Sequence, residues 1–320
     1  MLKRFWLVLT LSGWMTALGL PLHAADGPKH LYLSMIEQYP APMLQGLTGR
    51  EFKFLVDPAR LPGDPGEAFR ALWQRIEAAS ARAGFSVAPL PGKKGAKPFK
   101  VEHAIKEYLD TPGQDLWRRG YLLRVTTKAK KGEDNRTITV KAIHEDPLRT
   151  LATPLVLVGA GATPEAEGNV GLGGNGQLRE YVEKGTSWQV RREQLGSMKL
   201  ADVGKFMPEL MQLGLPGETQ LLAIRVHAVS AKPGRLVFPG VEPFPVAMEG
   251  WSRTEGGAIF LFDFSYRSEG DYYRNAPAHQ AAERFMTTVL HGDLKDLALP
   301  ASGRWGGSKV RALLNRPQAN

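Results

Sequence analysis

Cysteine is absent from the 320-residue chain. The fold therefore contains no disulfide, and thiol nucleophiles, cysteine zinc sites and a lipid anchor on cysteine are excluded. Long apolar runs are also missing after Leu22, so no later segment is apolar enough to span a bilayer as a helix. No serine lies in a nucleophile-elbow motif, and no helix-turn-helix, zinc or aromatic-strand signature indicates nucleic-acid binding.

Basic residues are in excess over acidic ones. The chain has 41 Lys and Arg residues against 32 Asp and Glu residues, which gives a formal net charge of +9 at pH 7. This excess favours anionic partners. Charge alone does not choose between phosphates, nucleic acid, sulfated sugars and an anionic membrane, although the missing signatures argue against nucleic acid.

The first 24 residues have the pattern of an export signal. Lys3 and Arg4 precede an apolar run over residues 5–22, and Ala24 offers a small residue for cleavage. We expect this signal peptide to be removed and the mature protein to be periplasmic or secreted, with no membrane span left. A retained membrane anchor is the competing interpretation.

The rest of the chain shows no internal repeat and no clear linker, which favours one α+β domain. We assign residues 25–48 to a leader that is irregular or draped over the domain, residues 49–295 to the domain and residues 296–320 to a C-terminal tail. One helix is well marked within the domain, because Asp64 can cap its N-terminus and apolar residues follow at helical spacing. These apolar residues are Phe69, Leu72, Trp73 and Ile76.

Charged side chains recur at alternate positions along several predicted strands, so that each set faces one side of its strand. Glu51 and Lys53 share a face of the first strand, and Arg124, Thr126 and Lys128 share a face of a later one. A solvated face is the ordinary interpretation. If the strands close into a barrel, these side chains line a positively charged interior. The inward candidates are Lys53, Arg124, Lys128, Lys141, Arg225 and Arg267.

Three glycines, Gly171, Gly173 and Gly176, formally match the Gly-x-Gly-x-x-Gly pattern of dinucleotide sites. In such a site the glycines follow a strand and open a helix, whereas residues 178–182 have the pattern of another strand. We therefore predict a flexible loop and no dinucleotide site.

The stretch from Tyr108 to Lys141 contains a Tyr-Leu-Asp-Thr-Pro segment, a Gly-Tyr-Leu-Leu-Arg segment and a Thr-Ile-Thr-Val-Lys strand, in that order. This order and spacing resemble the CYTH family, also called triphosphate tunnel metalloenzymes. The matching positions are Tyr108, Asp110, Thr111, Pro112, Leu116, Gly120, Leu123, Arg124 and Lys141. The resemblance implies an antiparallel, eight-stranded, tunnel-like β-barrel with flanking helices. It also implies that basic strand residues grip the phosphates of an anionic small molecule or polyphosphate.

The resemblance further implies a divalent metal, Mg²⁺ or Mn²⁺, which carboxylate oxygens would bind and which would neutralise phosphate charge. The chain departs from the family here. The first-strand signature Glu-x-Glu-x-Lys keeps Glu51 and Lys53, but Gly49 replaces the first glutamate. Glu51, Glu180 and Asp263 are the candidates for the remaining metal ligands, and Glu51 and Lys53 are the candidate catalytic residues of any hydrolysis. The alternative for Glu51 is an ion pair with a neighbouring Arg or Lys of the tunnel.

The predicted strands keep basic residues of the family pattern but few of its carboxylates. This favours one of three hypotheses about the function. The favoured one is an exported, CYTH-like protein that binds a phosphorylated or polyphosphate-type ligand in a basic tunnel, with weak or no hydrolase activity. The first alternative is a divalent-metal-dependent triphosphatase or polyphosphatase. The second is a non-catalytic interaction protein of the cell envelope, with a tunnel filled by its own side chains.

Overall fold

The computed structural model describes residues 30–90, 99–128, 136–156, 158, 163–173, 175–238, 240–269, 276–300 and 307–314. The predicted signal peptide lies outside these ranges. Within them, no helix combines the length and the apolar character that a membrane crossing requires.

Eleven strands form one continuous sheet in the described part of the chain. They are β1 (Leu47–Val56), β2 (Ser86–Ala88), β3 (Glu102–Asp110), β4 (Tyr121–Lys128), β5 (Arg136–Ala142), β6 (Glu165–Leu172), β7 (Leu178–Val190), β8 (Leu222–Ala231), β9 (Arg235–Val237), β10 (Phe244–Ser252) and β11 (Ile259–Glu269). Nine of them close into a barrel in the order β11, β1, β6, β7, β5, β4, β3, β8 and β10, because β10 also pairs with β11. β9 and β2 extend the sheet from β10 outside the ring.

The predicted tunnel-like barrel with flanking helices is confirmed, but the expected count of eight antiparallel strands is wrong. The ring has nine strands, and β1 runs parallel to β6. β6 has two glycines in its sequence, which weaken the strand pattern. Gly168 is needed at its position for a steric reason, because a Cβ there would lie 2.1 Å from a carboxylate oxygen of Glu180.

Nine α-helices lie in the described ranges around this ring. They are α1 (Leu31–Gln38), α2 (Ala41–Gln45), α3 (Pro65–Arg82), α4 (Asp115–Arg118), α5 (Pro147–Ala152), α6 (Leu200–Gly204), α7 (Pro208–Met211), α8 (Ala276–Phe285) and α9 (Lys309–Leu314). A π-helical segment, Met286–Asp293, continues α8. As predicted, Asp64 caps α3, since its carboxylate accepts a hydrogen bond of 2.8 Å from the backbone N–H of Glu67.

The main apolar core lies outside the barrel, between its wall and the helices. Phe52, Phe54 and Val56 project outward from β1 and are fully buried in one cluster with α3 and α8. The predicted stripe on α3 belongs to the same cluster. Because the apolar face of β1 is used in this way, Glu51 and Lys53 face the interior.

Both ends of the described chain pack on the barrel. α1 and α2 form in the stretch assigned to the leader and pack against the barrel, with the Tyr32 side chain fully buried. At the C-terminal end, Leu313 and Leu314 of α9 are buried in a cluster with Tyr108 and Trp251.

The glycine-rich stretch is only partly the predicted loop, because Gly171 lies in β6, while Gly173 and Gly176 lie in the turn between β6 and β7. The backbone N–H of Gly173 donates to the carbonyl of Gln177 at 2.9 Å, and Gly176 has a positive φ of 77°. No helix follows, so the stretch lacks the geometry of a dinucleotide site.

Candidate functional site: the barrel interior

The barrel interior contains a cavity of about 470 Å³, and about half of the residues that line it are charged. Its cationic lining residues are Lys53, Lys100, Lys106, Arg124, Lys141, Lys232 and Lys309. Its acidic lining residues are Glu51, Glu102, Glu183, Glu249 and Asp263. Cations exceed acids by two along this wall, so the cavity has a net positive charge.

One cluster of alternating charges lies on β1, β5 and β7. The Lys53 ammonium is 3.1 Å from a carboxylate oxygen of Glu51, and Lys141 pairs with Glu183. Burial by itself would raise the pKa of Glu51, yet the ammonium groups of Lys53 and Lys141 hold it below its ordinary value. Burial likewise opposes ionisation of Glu183, but the same two lysines lower its pKa to about 2. Both carboxylates are therefore ionised at neutral pH and neutralised by lysines.

A second cluster joins β3, β10, β11 and α9. Lys106 Nζ lies 2.7 and 2.6 Å from the two carboxylate oxygens of Glu249, and Trp251 Nε1 donates to one of them at 2.6 Å. Lys309 lies 3.1 Å from Glu249 and also pairs with Asp263. Burial lowers the pKa of Lys106 to about 8 in spite of Glu249. Both carboxylates of this cluster, Glu249 and Asp263, are therefore paired with lysine ammonium groups.

Arg124 differs from these lysines, because no carboxylate of the described residues pairs with it. Its Nη2 donates to Thr139 Oγ1 at 3.2 Å, while its Nε is buried without a hydrogen-bond partner. The hydroxyl of Thr126, two residues further along β4, is also buried and without a partner. Buried donors normally have acceptors, so Arg124, which lines the cavity, is suited to the oxygens of an anion, whereas Thr126 is not among the residues that line it.

Five predicted site residues line the cavity: Glu51, Lys53, Arg124, Lys141 and Asp263. Arg267 lies at the edge of the barrel instead. Its side chain is 44% exposed and lines a neighbouring opening with Lys141.

Three further predictions about site residues are corrected by the structure. Lys128 is exposed at the end of β4 and does not line the cavity. Arg225 faces outward from β8 and donates to Glu107 at 2.7 Å. Glu180 also faces outward, where its carboxylate accepts hydrogen bonds from Arg50 at 2.9 and 2.6 Å. Strand alternation groups residues by face, but it does not say which face is the interior.

Lys106 and Glu249 line the cavity although the sequence analysis did not single them out, and Lys309, for which a solvated face was the preferred interpretation, lines it too. Lys106 has a weak signal, since it shares a strand face with Tyr108 of the family motif. Glu249 alternates with Trp251 in a strand that carries no motif. Lys309 has no local signal, because its position depends on how the C-terminal segment packs.

The predicted metal ligands are not brought together. In the ranges that the structure describes, no group of three His, Cys, Asp or Glu side chains could hold a metal ion. Glu180 lies outside the barrel with Arg50, while Glu51 and Asp263 each contact a lysine ammonium. The residues therefore do not fit the expected site for Mg²⁺ or Mn²⁺, which prefer several free oxygen ligands.

No protein-family model matches the chain, and no curated protein matches it. Among solved structures, it is similar to a Hippeastrum protein described as a candidate adenylyl cyclase with a dominant triphosphatase activity. The two share 11% identity over 83% of this chain and 95% of that chain, with a TM-score of 0.41. A candidate adenylate cyclase from Bacillus halodurans shares 12% identity over 83% of this chain and 97% of that chain, with a TM-score of 0.39. The barrel itself is established by its own strand pairing.

Proposed function

We propose that this protein is an exported, CYTH-like tunnel protein that binds a phosphorylated or polyphosphate-type anion inside its barrel, with weak or no hydrolase activity. Arg124 is the observation that carries the proposal. It places a half-buried guanidinium, with a buried and unpartnered Nε, on the tunnel wall without a carboxylate partner among the described residues. An anion would provide the missing acceptors.

A ligand with several negative charges fits this wall better than a single small anion does. Arg124 pairs in register with Thr139, so Lys141 is its diagonal neighbour on the same face of β5. Diagonal neighbours on adjacent strands lie roughly 7–8 Å apart. One polyanion can therefore reach both cations. The planar guanidinium suits two phosphate oxygens at once, and the ammonium acts as a point charge.

Low hydrolase activity follows from the state of the tunnel carboxylates. Hydrolysis assisted by a divalent metal needs oxygen ligands that are free to bind it. Glu51, Glu183, Glu249 and Asp263 all contact lysine ammonium groups. The lysine ammonium groups that favour anion binding therefore oppose the binding of a divalent metal.

Calorimetric titration with tripolyphosphate, without divalent metal, tests the binding. Arg124→Met removes charge-assisted hydrogen bonds worth about 1.5–3 kcal/mol, so affinity should fall about 10- to 100-fold. Arg225→Met is the matched control, because Arg225 lies outside the barrel and its side chain is 60% exposed. Equal affinities for the wild type and Arg124→Met would contradict the proposal.

A phosphate-release assay with Mg²⁺ or Mn²⁺ addresses the enzymatic alternative. We expect little release from tripolyphosphate. Rapid release that disappears in Glu51→Gln would instead support a metal-dependent triphosphatase or polyphosphatase.

If neither tripolyphosphate nor another polyanion raises the melting temperature, an envelope interaction protein becomes the better explanation, since a ligand of the native state must stabilise it.

Export is the remaining part of the proposal. Its support is the basic start and apolar run of residues 1–24 in the sequence. Cell fractionation of the full-length chain, with mass spectrometry of its N-terminus, tests it. A cytoplasmic protein that retains its first residues would contradict export.

A further inference from the structure

The inner face of the barrel changes from charged to apolar along its length. On five strands, a charged residue that lines the cavity is followed, two positions away on the same face, by an apolar or aromatic residue. The pairs are Lys106 and Tyr108, Arg124 and Leu122, Glu183 and Tyr181, Glu249 and Trp251, and Asp263 and Leu261. The second members of these pairs, which we call the apolar layer, are all buried in one cluster. The barrel interior therefore has a charged end and an apolar end.

α9 packs on the apolar layer from inside the barrel. Leu313 and Leu314 are buried in the same cluster as the layer. At the other end of the helix, the Lys309 ammonium pairs with Asp263 and lies 3.1 Å from Glu249. The helix is therefore held by apolar contacts at one level of the barrel and by ion pairs at the next.

The two ends of this segment are also fixed by contacts with the barrel. Gly307 packs so closely on β1 that a Cβ there would lie 2.7 Å from the carbonyl oxygen of Lys53, and its φ of 86° suits glycine. Gln114, in the connection between β3 and β4, donates from Nε2 to the carbonyl of Leu314 at 3.4 Å. α9 is thus attached both to the wall and to the end of the barrel.

The opposite end of the cavity opens to solvent. Three of the described residues that line the cavity are exposed, namely Lys100, Glu102 and Lys232. Glu102 begins β3, Lys100 precedes it, and Lys232 follows the last residue of β8. Because β3 and β8 are antiparallel, these three residues lie together at the end of the barrel away from α9.

We propose that α9 makes the barrel interior a pocket with one entrance, which accepts a linear polyphosphate by its terminal phosphates and not by an internal stretch of the chain. An internal stretch would have to fold back on itself, and its two negatively charged arms would repel each other inside the pocket. A chain end enters alone and can reach Arg124 and Lys141. The choice of ligand rests on the proposed function, whereas closure by α9 does not.

Thiol labelling tests the closure without any ligand. The chain has no cysteine, so one introduced cysteine is the only thiol. Ala228→Cys places it in the cluster that α9 covers, and Ser230→Cys places it on the cavity wall two residues nearer the entrance. With a charged thiol reagent, Ser230→Cys should react at least about tenfold faster, because labelling of Ala228→Cys requires local opening. Equal rates would overturn the closure.

Variants that displace α9 show whether this helix is responsible. Gly307→Val places a side chain against the carbonyl of Lys53 and should speed the labelling of Ala228→Cys at least about tenfold. Leu313→Asp combined with Leu314→Asp displaces the other end of the helix and should have the same effect if Gly307→Val folds poorly. Unchanged protection of Ala228→Cys in both backgrounds would overturn the role of α9.

Calorimetric titration with tripolyphosphate and with longer linear polyphosphates tests the binding of chain ends. Heat that is lost in Arg124→Met is assigned to the barrel, which separates it from binding on the outer surface. The Kd per chain end should be the same for all lengths, with one protein bound at each end of a long chain.

A Kd that is constant per phosphate unit, with several proteins along each long chain, would overturn end binding and leave the proposed function intact. If tripolyphosphate gives no heat that depends on Arg124, the proposed function fails and end binding fails with it. The labelling experiment would still decide whether α9 closes the barrel.

Discussion

At the scale of single residues, the clearest difference from the sequence analysis is Glu180. It was expected to hold a metal, yet it lies outside the barrel in a buried ion cluster with Arg50 and Glu283. Both faces of β7 carry charged residues, so alternation alone could not tell which carboxylate faces inward. The carboxylate of β7 that faces the barrel interior is that of Glu183, because the register of β7 places Glu183 opposite Glu167 on the interior face.

Replacing Arg50 should destabilise the protein strongly. Its Nη2 lies 2.6 Å from Glu180 and 2.7 Å from Glu283, and its side chain has no exposed surface. Arg50→Met would leave two buried carboxylates without this cation, which costs about 3–5 kcal/mol of unfolding free energy. Urea denaturation measures the change.

Arg225→Met provides a matched control for this prediction. Arg225 is also paired with a glutamate, Glu107, but its side chain is 60% exposed. Losing an exposed pair should cost about 1 kcal/mol or less. Similar losses in the two variants would contradict the assignment of Arg50 as a structural residue.

At the scale of elements, long amphipathic helices could be predicted and short segments could not. α3 has a capping aspartate and a stripe of apolar residues, and both signals are local. α8 and the segment after it form a second apolar face, in which Phe285, Val289 and Leu290 are buried. The change to π-helical geometry after Phe285 has no local signal, because it depends on packing against the barrel.

The π-helical segment should make stability depend on pH through His291. Its ring meets Phe54 edge-on at 4.9 Å, and burial lowers its pKa from 6.5 to about 4. Because the folded pKa is lower, the unfolded chain takes up a proton first as pH falls. Stability should therefore decrease between about pH 6.5 and pH 4, by up to about 3 kcal/mol.

His291→Leu should remove this part of the pH dependence. The difference in unfolding free energy between pH 7 and pH 4.5 should be smaller in His291→Leu than in the wild type. The carboxylates contribute alike to both proteins and cancel in this comparison. His103→Leu is the control, because His103 is exposed on β3. An unchanged pH dependence in His291→Leu would show that His291 titrates normally.

At the scale of the whole molecule, the sequence predicts a closed barrel but not all of its interior. The motif around Arg124 and the alternation of β1 place four expected residues on the tunnel wall, and Asp263 of β11 is a fifth. The parallel pairing of β1 with β6 and the entry of α9 depend on contacts between distant parts of the chain. Lys309, which reaches Glu249 and Asp263, could not be placed without them.

The most direct test of the central claim is the position of a bound anion. Crystals soaked with tungstate, an analogue of a tetrahedral phosphate group, would give an anomalous signal that locates it. We predict a peak inside the barrel within hydrogen-bonding distance of Arg124, near Lys141. Peaks confined to the outer surface, for example at Arg225, with none at Arg124 would contradict the claim.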